Sequence, residues 1–216
     1  MKKKSQKKEL LEKYISLSKG VLHLGAHEGQ EADQYSKFNK PVIWVEAMPH
    51  VFERLIENLK SFPNQKGYSA LLTNKDGHKI NFNISNNING VSSSIFNFGP
   101  YSEGKKSLWP KHNLTMVDKI ELTSTRLDTL ISSNNISIED YNFWIVDLQG
   151  AELLALHGAG EYINQCDMMY VEVSTDTVYE NGVLWPELSE FIISKGFTPL
   201  YEPSKIHDDV LFVRKK

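Results

Sequence analysis

The feature that constrains this fold most is a set of short apolar runs that each end on a residue of unusual chemistry. Val21-Leu22-His23-Leu24 runs into Gly25, Val42-Ile43-Trp44-Val45 into Glu46, and Phe143-Trp144-Ile145-Val146 into Asp147. Runs this short, with almost no polar alternation, read as strands buried on both faces, which is the parallel sheet of an α/β protein. Tyr68 to Leu72 and Met168 to Val173 add two further strands, and Leu200–Tyr201 with Val210–Val213 a terminal antiparallel hairpin.

Helices are expected between the strands. Phe52, Leu55, Ile56 and Leu59 recur at helical spacing over Val51 to Lys60. Ala151 to Ile163 reads as another helix, and Leu184 to Lys195 as one closed by Gly196, a favoured C-cap. Strand and helix in alternation give a three-layer, Rossmann-like sandwich around a mostly parallel sheet. At 216 residues the chain suits one domain, 20–216, preceded by a basic arm and short helix over 1–19.

Composition narrows the partners. A formal net charge of -3 gives no electrostatic case for nucleic acid. The first residues, MKKKSQKKELLEKYISLSKG, are basic but lack the apolar run of a signal peptide, and no stretch reaches the roughly 18 apolar residues of a membrane span. With one cysteine, Cys166, there is no internal disulfide. The chain reads as soluble and cytoplasmic, with its oligomeric state open. The region 83–119 stands apart: rich in Asn, Ser and Gly, with Phe96, Phe98, Tyr101 and Trp109 scattered through it. A featureless loop of that length is uncommon, so it either holds short strands or covers an acceptor.

In an open α/β sheet, ligands bind beyond the carboxyl ends of the strands. Gly25-Ala26-His27-Glu28-Gly29 forms the first strand-to-helix turn, where glycines allow tight turning and close approach to a ligand. Glu46 follows about 20 positions later, the distance at which a strand-tip carboxylate accepts both hydroxyls of a ribose. A dinucleotide site wants G-x-G-x-x-G, but His27 stands at the middle glycine and Glu28 would repel phosphate. A phosphate-free, cationic nucleoside suits this acidic turn better. Gly25, Ala26, His27, Gly29, Glu46, Ala47 and Asp147 are therefore the expected cofactor-binding residues.

These residues resemble the FkbM family of methyltransferases. The likeness runs from about Gly20 to Lys215, in the pieces VLHLGAHEGQE, VIWVEAMP, NGVSSSI, RLDTL, FWIVDLQGAELLALHGA, YVEVS with Tyr179 following, and KGF. The most specific is the D-x-Q-G-A-E-L segment from Asp147 to Leu153. The resemblance implies a seven-stranded class I methyltransferase fold with S-adenosylmethionine as methyl donor. It also implies O-methylation of a hydroxyl, often on a glycan or glycosylated metabolite.

For such a transfer, alignment supplies roughly 7–11 kcal/mol and a general base typically 10²–10⁴-fold. Asp147, at a strand end beside the donor turn, is the first choice of base and is expected to be ionised next to the donor's positive charge. His112, in the irregular region, is the second, because imidazole titrates near neutrality. Asn89, Ser93, His112, Glu152 and Glu172 are the expected acceptor-binding residues. Asp128 is read as the cap of a helix over Thr129 to Ser132, and His23 as a satisfied interior group. Asp147, Glu152 and Glu172 could converge on a hard cation, but no His or Cys pairing supports a metal, and none is expected. The competing readings are a nicotinamide-dependent oxidoreductase, which the missing middle glycine disfavours, and a nucleotide-binding module without turnover. An RNA methyltransferase would need a basic stripe, whereas the lysines gather in the N-terminal arm.

Overall fold

The computed structural model describes residues 2–215. The strands are β1 (Val21–Leu24), β2 (Val42–Glu46), β3 (Gln65–Ser69), β4 (Leu71–Leu72), β5 (Lys79–Ser85), β6 (Met116–Thr125), β7 (Phe143–Val146), β8 (Met168–Ser174), β9 (Phe197–Pro199) and β10 (His207–Arg214). The helices are α1 (Lys2–Leu17), α2 (Ala32–Lys37), α3 (Pro49–Leu59), α4 (Leu127–Ser133), α5 (Glu152–Gly158) and α6 (Trp185–Ser194). Seven strands form one sheet in the order β3-β2-β1-β7-β8-β10-β9, in which β10 alone runs antiparallel to its neighbours. This is the seven-stranded sheet expected from the sequence.

The apolar runs form strands because both of their faces are buried. In β1, Leu22 and Leu24 enter one core with Trp144 and Val146, while Val21 enters the other with Trp44, Phe143 and Ile145. That is the two-residue period of a strand between two helical layers. Each such side chain, fully buried, contributes about 1.5–3 kcal/mol. No helix among the described residues is long and apolar enough to cross a membrane.

Four expectations change, and the alternatives left open for 83–119 divide between strand and loop. Tyr68 to Leu72 is not one strand: β3 ends at Ser69 and β4 leaves for a second, three-stranded sheet ordered β4-β6-β5. The region 83–119 begins and ends in that sheet, where β5 pairs antiparallel with β6. Its polar residues alternate with Ile80, Phe82, Ile84, Ile120 and Leu122, which face a small core under α3. The rest, 86–115, is a loop tied down midway: Phe98 pairs with Tyr179 in a single antiparallel bridge, and the Ser102 hydroxyl donates to the Val178 carbonyl at 2.7 Å. The helix over Ala151 to Ile163 breaks after Gly158, and a 3-10 turn, Gly160–Gln165, follows. The terminal hairpin is β9 with β10, so Leu200 and Tyr201 lie in the connection. Asp128 is not the N-cap residue, because α4 starts at Leu127 behind Arg126; its carboxylate accepts the first-turn Thr129 amide at 2.8 Å and pairs with the Arg126 guanidinium at 2.5 Å.

The basic arm is a docked helix. Ile15 is fully buried, with Leu10, Leu11 and Tyr14 against the same core. The Lys7 ammonium reaches the Asp208 carboxylate at 2.8 Å and lies over the Tyr201 ring. Burial raises the Asp208 pKa, but Lys7 and Ser204 outweigh it and hold the group at about 2. The side chains of residues 1–5, which carry part of the expected charge run, lie outside the described residues.

Candidate active site

The first strand-to-helix turn is held by backbone. The Gly25 and Ala26 amides both donate to the Val45 carbonyl at 3.0 Å, which joins the turn to β2. Gly25 has φ +86°, and a Cβ there would overlap the carbonyl oxygen of Asp147, so this position requires glycine. His27 is also left-handed, at φ 46°. What holds it there is Glu46: one carboxylate oxygen accepts the His27 amide and the other the Met48 amide, both at 2.8 Å. Each oxygen keeps a second lone pair. Burial raises the Glu46 pKa, and the Met48 and His27 amides offset part of the rise.

The loop that carries Asn89 folds onto this turn. The Gln30 amide donates to His27 Nδ1 at 2.7 Å, so Nε2 carries the hydrogen and donates to the Asn89 carbonyl at 3.2 Å. The Asn89 amide in turn donates to Glu28, which Arg54 neutralises at 2.7 Å. His23 is the interior group expected: it stacks on Trp44 and bonds the Tyr35 hydroxyl at 3.0 Å, and burial lowers its pKa.

A cavity of about 260 Å³ opens between this turn, the tip of β2 and the end of β7. Its apolar wall is Leu71, Leu72, Phe82, Val91 and Ile95, and its acids are Glu31, Glu46 and Asp147. Gly25, Ala26, His27, Ala47 and Ser93 also line it, and among the described residues no lysine or arginine does. A flat aromatic base fits the wall, a ribose diol fits the free lone pairs of Glu46, and a cation fits the acids, while phosphate has no counter-charge. The residues therefore fit an adenosyl group bearing a positive centre. Gly29 does not line the cavity; it packs against Leu55 with φ +74° and serves the turn.

Asp147 ends β7 and reaches the cavity from the opposite side. Its neighbour Gln149, at φ 55°, bridges two acids, donating from Nε2 to Asp147 Oδ1 and to Glu172 Oε2 at 3.0 Å. The Gln149 carbonyl side accepts from the buried Tyr179 hydroxyl, and the Ser94 hydroxyl donates to the Gln149 main-chain oxygen at 2.7 Å. Glu172 Oε1 meets His207 Nε2 at 2.8 Å. Asp147 was expected to be ionised at an ordinary pKa. Instead burial, then the Glu172 charge, push its carboxyl well above the usual range. Left-handed residues cost about 1 kcal/mol or more each, and three of them, His27, Asn89 and Gln149, gather here.

Not every expected acceptor residue faces the cavity. Glu152 turns into its own helix start, accepting the Leu148 and Gly150 amides at 2.9 and 3.0 Å, and burial pushes its carboxyl up to about 7. Ser93 does line the cavity, but its buried hydroxyl is taken up accepting the Ser85 amide at 3.0 Å. His112 is exposed on a turn closed by its amide to the Trp109 carbonyl. Gln149, Tyr179 and His207 were not among the expected site residues. Gln149 and Tyr179 lay within the quoted motifs, but His207 carried no local signal.

Comparison with known proteins supplies a family. The methyltransferase FkbM domain model matches residues 23–199. No protein of curated function matches the sequence. Among solved structures, the methyltransferase domain of bacterial CtHen1 aligns at 9% identity over 96% of each chain, with a TM-score of 0.46. A TehB-like methyltransferase from Corynebacterium glutamicum aligns at 11% identity over 91% of this chain and 80% of that one, with a TM-score of 0.43. The glycopeptide N-methyltransferase MtfA, solved with S-adenosylmethionine, aligns at 9% identity over 91% and 82%, with a TM-score of 0.42.

Proposed function

The chain belongs to the FkbM methyltransferase family, whose methyl donor is S-adenosylmethionine, and on that premise we propose that it methylates a hydroxyl oxygen of a sugar unit. The observation that carries the reading is that a half-buried carboxyl, Asp147, opens onto the same cavity as Glu46 and the glycine turn. When bound, S-adenosylmethionine supplies an activated methyl group, so the residues need only hold, align and deprotonate. Glu46 would grip the ribose diol, with Gly25 and Ala26 giving close approach of backbone. Asp147 would take the hydroxyl proton, with Oδ1 held by Gln149. Alcohol oxygens need such a base, and a carboxyl raised above its usual pKa is a better one.

The acceptor would approach past Glu172 and Trp109. Trp109 stands edge-on to His207 at 5.4 Å and is itself partly exposed, which suits the apolar face of a sugar ring. Glu172 adds a hydrogen-bond acceptor for a neighbouring hydroxyl. His112, exposed three residues beyond Trp109, would bind the acceptor rather than act as base.

The test is incubation of the chain with labelled S-adenosylmethionine and extracts containing surface polysaccharide precursors. A sugar-containing species should gain one CH₂, about 14 mass units. A labelled methyl found only on nitrogen atoms, or on no product, would sink the sugar reading.

A further inference from the structure

The methyl-transfer reading leaves His207 without a role, although its ring sits against the buried acids of the site. β10 runs antiparallel to β8 with His207 opposite Ser174, which brings the imidazole between Ser174 and Glu172. Nδ1 lies 3.1 Å from the Ser174 hydroxyl and Nε2 2.8 Å from Glu172 Oε1. The other Glu172 oxygen accepts from Gln149, as does Asp147 Oδ1. An amide nitrogen only donates, so both of those oxygens act as acceptors and are the poorer places for a proton. Glu172 Oε1 is then the oxygen on which Glu172 can carry a proton, and it points at the bare nitrogen of a neutral imidazole. Asp147 and Glu172 lie within hydrogen-bond reach of each other.

The charges around this pair favour a stored proton. Asp147, Asp209 and Glu152 face His207, together with Lys205, and Glu152 and Asp209 also face Glu172. Adjacent buried carboxylates do not both ionise cheaply. Burial lowers the His207 pKa and raises that of Glu172 well above its usual range, so both shifts favour an uncharged pair.

We propose that Glu172 and His207 form a proton store behind Asp147, a role that rests on the methyl-transfer reading. Before transfer, Asp147 is ionised, Glu172 carries a proton on Oε1, and His207 is neutral with its hydrogen on Nδ1 toward Ser174. As the acceptor O–H bond breaks, an O–H bond forms on Asp147. The Glu172 Oε1–H bond breaks and an Nε2–H bond forms on His207. The three groups gain one proton and lose one negative charge, and the new Glu172 carboxylate steadies protonated Asp147. His207, with 17% of its side chain exposed, then releases a proton to water, and Asp147 returns its own to Glu172. His207 acts through Glu172 and does not touch the acceptor.

Long-range proton–nitrogen NMR spectra of the ¹⁵N-labelled chain test this, with His207→Gln used to assign the ring. At neutral pH the hydrogen should sit on Nδ1 with Nε2 bare. In Asp147→Asn the midpoint of His207 should fall by about half a pH unit or more, because a carboxylate that favours the imidazolium is gone. Asp147→Ser repeats the measurement should the first variant misfold. A hydrogen on Nε2 at neutral pH, or an unmoved midpoint in a folded variant, would overturn the store. Calorimetry of S-adenosylmethionine on the wild-type chain separates the two ideas. Binding with an unmoved midpoint removes the store alone, and absent binding removes the transfer reading whichever way the midpoint moves.

Discussion

The two sides of the cavity are built from different materials. On the β1–β2 side, main-chain amides do the holding: Gly25 and Ala26 bond the Val45 carbonyl, and Glu46 is fixed by two amides. On the β7–β8 side, side chains hold one another, from Tyr179 through Gln149 to Asp147, Glu172 and His207. The amide-to-carbonyl bonds of the turn do not titrate, so the first side should change with pH only through Glu46, whose pKa burial raises. On the second side the holding groups are themselves carboxyls and an imidazole, so both its charge and its bonding should change with pH. On the proposed function, a site that grips one donor and moves a proton gains from keeping those tasks apart.

Gly25→Ala attacks the backbone side and should have the largest effect. The new Cβ meets the Asp147 carbonyl in a left-handed conformation. A loss of about 4 kcal/mol or more is expected, in the range reserved for strain and overpacking. Thermal unfolding measures it, and a variant that melts like wild type would mean that the turn is not rigid. Asp147→Asn comes next. It should lower kcat by about 10²–10⁴-fold with donor affinity nearly unchanged. If donor affinity falls with it, the two sides are not separate. In the wild type, kcat/KM should rise with pH along an acid limb lying above the ordinary aspartate range of about 4, because burial and Glu172 raise this carboxyl. A limb at the ordinary position would contradict the raised carboxyl.

Glu46→Gln is expected to weaken S-adenosylmethionine by about 1.5–3 kcal/mol, the range for hydrogen bonds to a charged group, without altering the pH profile. Calorimetry decides it, and unchanged affinity would take Glu46 off the ribose. Glu152 gives the smallest effect and the clearest sign. Its carboxyl rises from 4.5 to about 7 on folding. A raised carboxyl contributes stability that is full below its unfolded pKa and lost as pH climbs through the folded one. Melting temperature should therefore decline between about pH 4.5 and 7. Glu152→Gln, which can still accept the Leu148 and Gly150 amides, should flatten part of that decline. An unaltered slope would show that Glu152 ionises as freely folded as unfolded.

How much of this was legible follows from the same division. The backbone side was readable because it is local: an apolar run, a glycine turn and an acid at a fixed later distance. The side-chain half was readable only as far as its strand ends. Asp147 and Glu172 could be named, since each sits at or near the end of an apolar strand. His207 could not, because only the antiparallel pairing of β10 with β8 brings it to Glu172. Burial, which decides the charge of Asp147, is likewise a property of the assembled cluster. The second sheet was missed for a different reason. Ile80, Phe82 and Ile84 alternate at strand period, but the asparagines between them resemble loop composition. The polar residues of an exposed face hid a regular one.

The staple between Phe98 and Tyr179 has a consequence for how the protein can diversify. Ordering a free loop costs entropy that grows with length, though only by about 0.6 kcal/mol per doubling. By pinning 86–115 near its middle, the chain turns one long loop into two shorter ones with separate closures. The first half leans on the glycine turn through Asn89, and the second carries Trp109 toward His207. Insertions around Gly104, where even an added Cβ meets no neighbour, stay within the second half. A change of length in one segment therefore need not disturb the other, whose closure is separate.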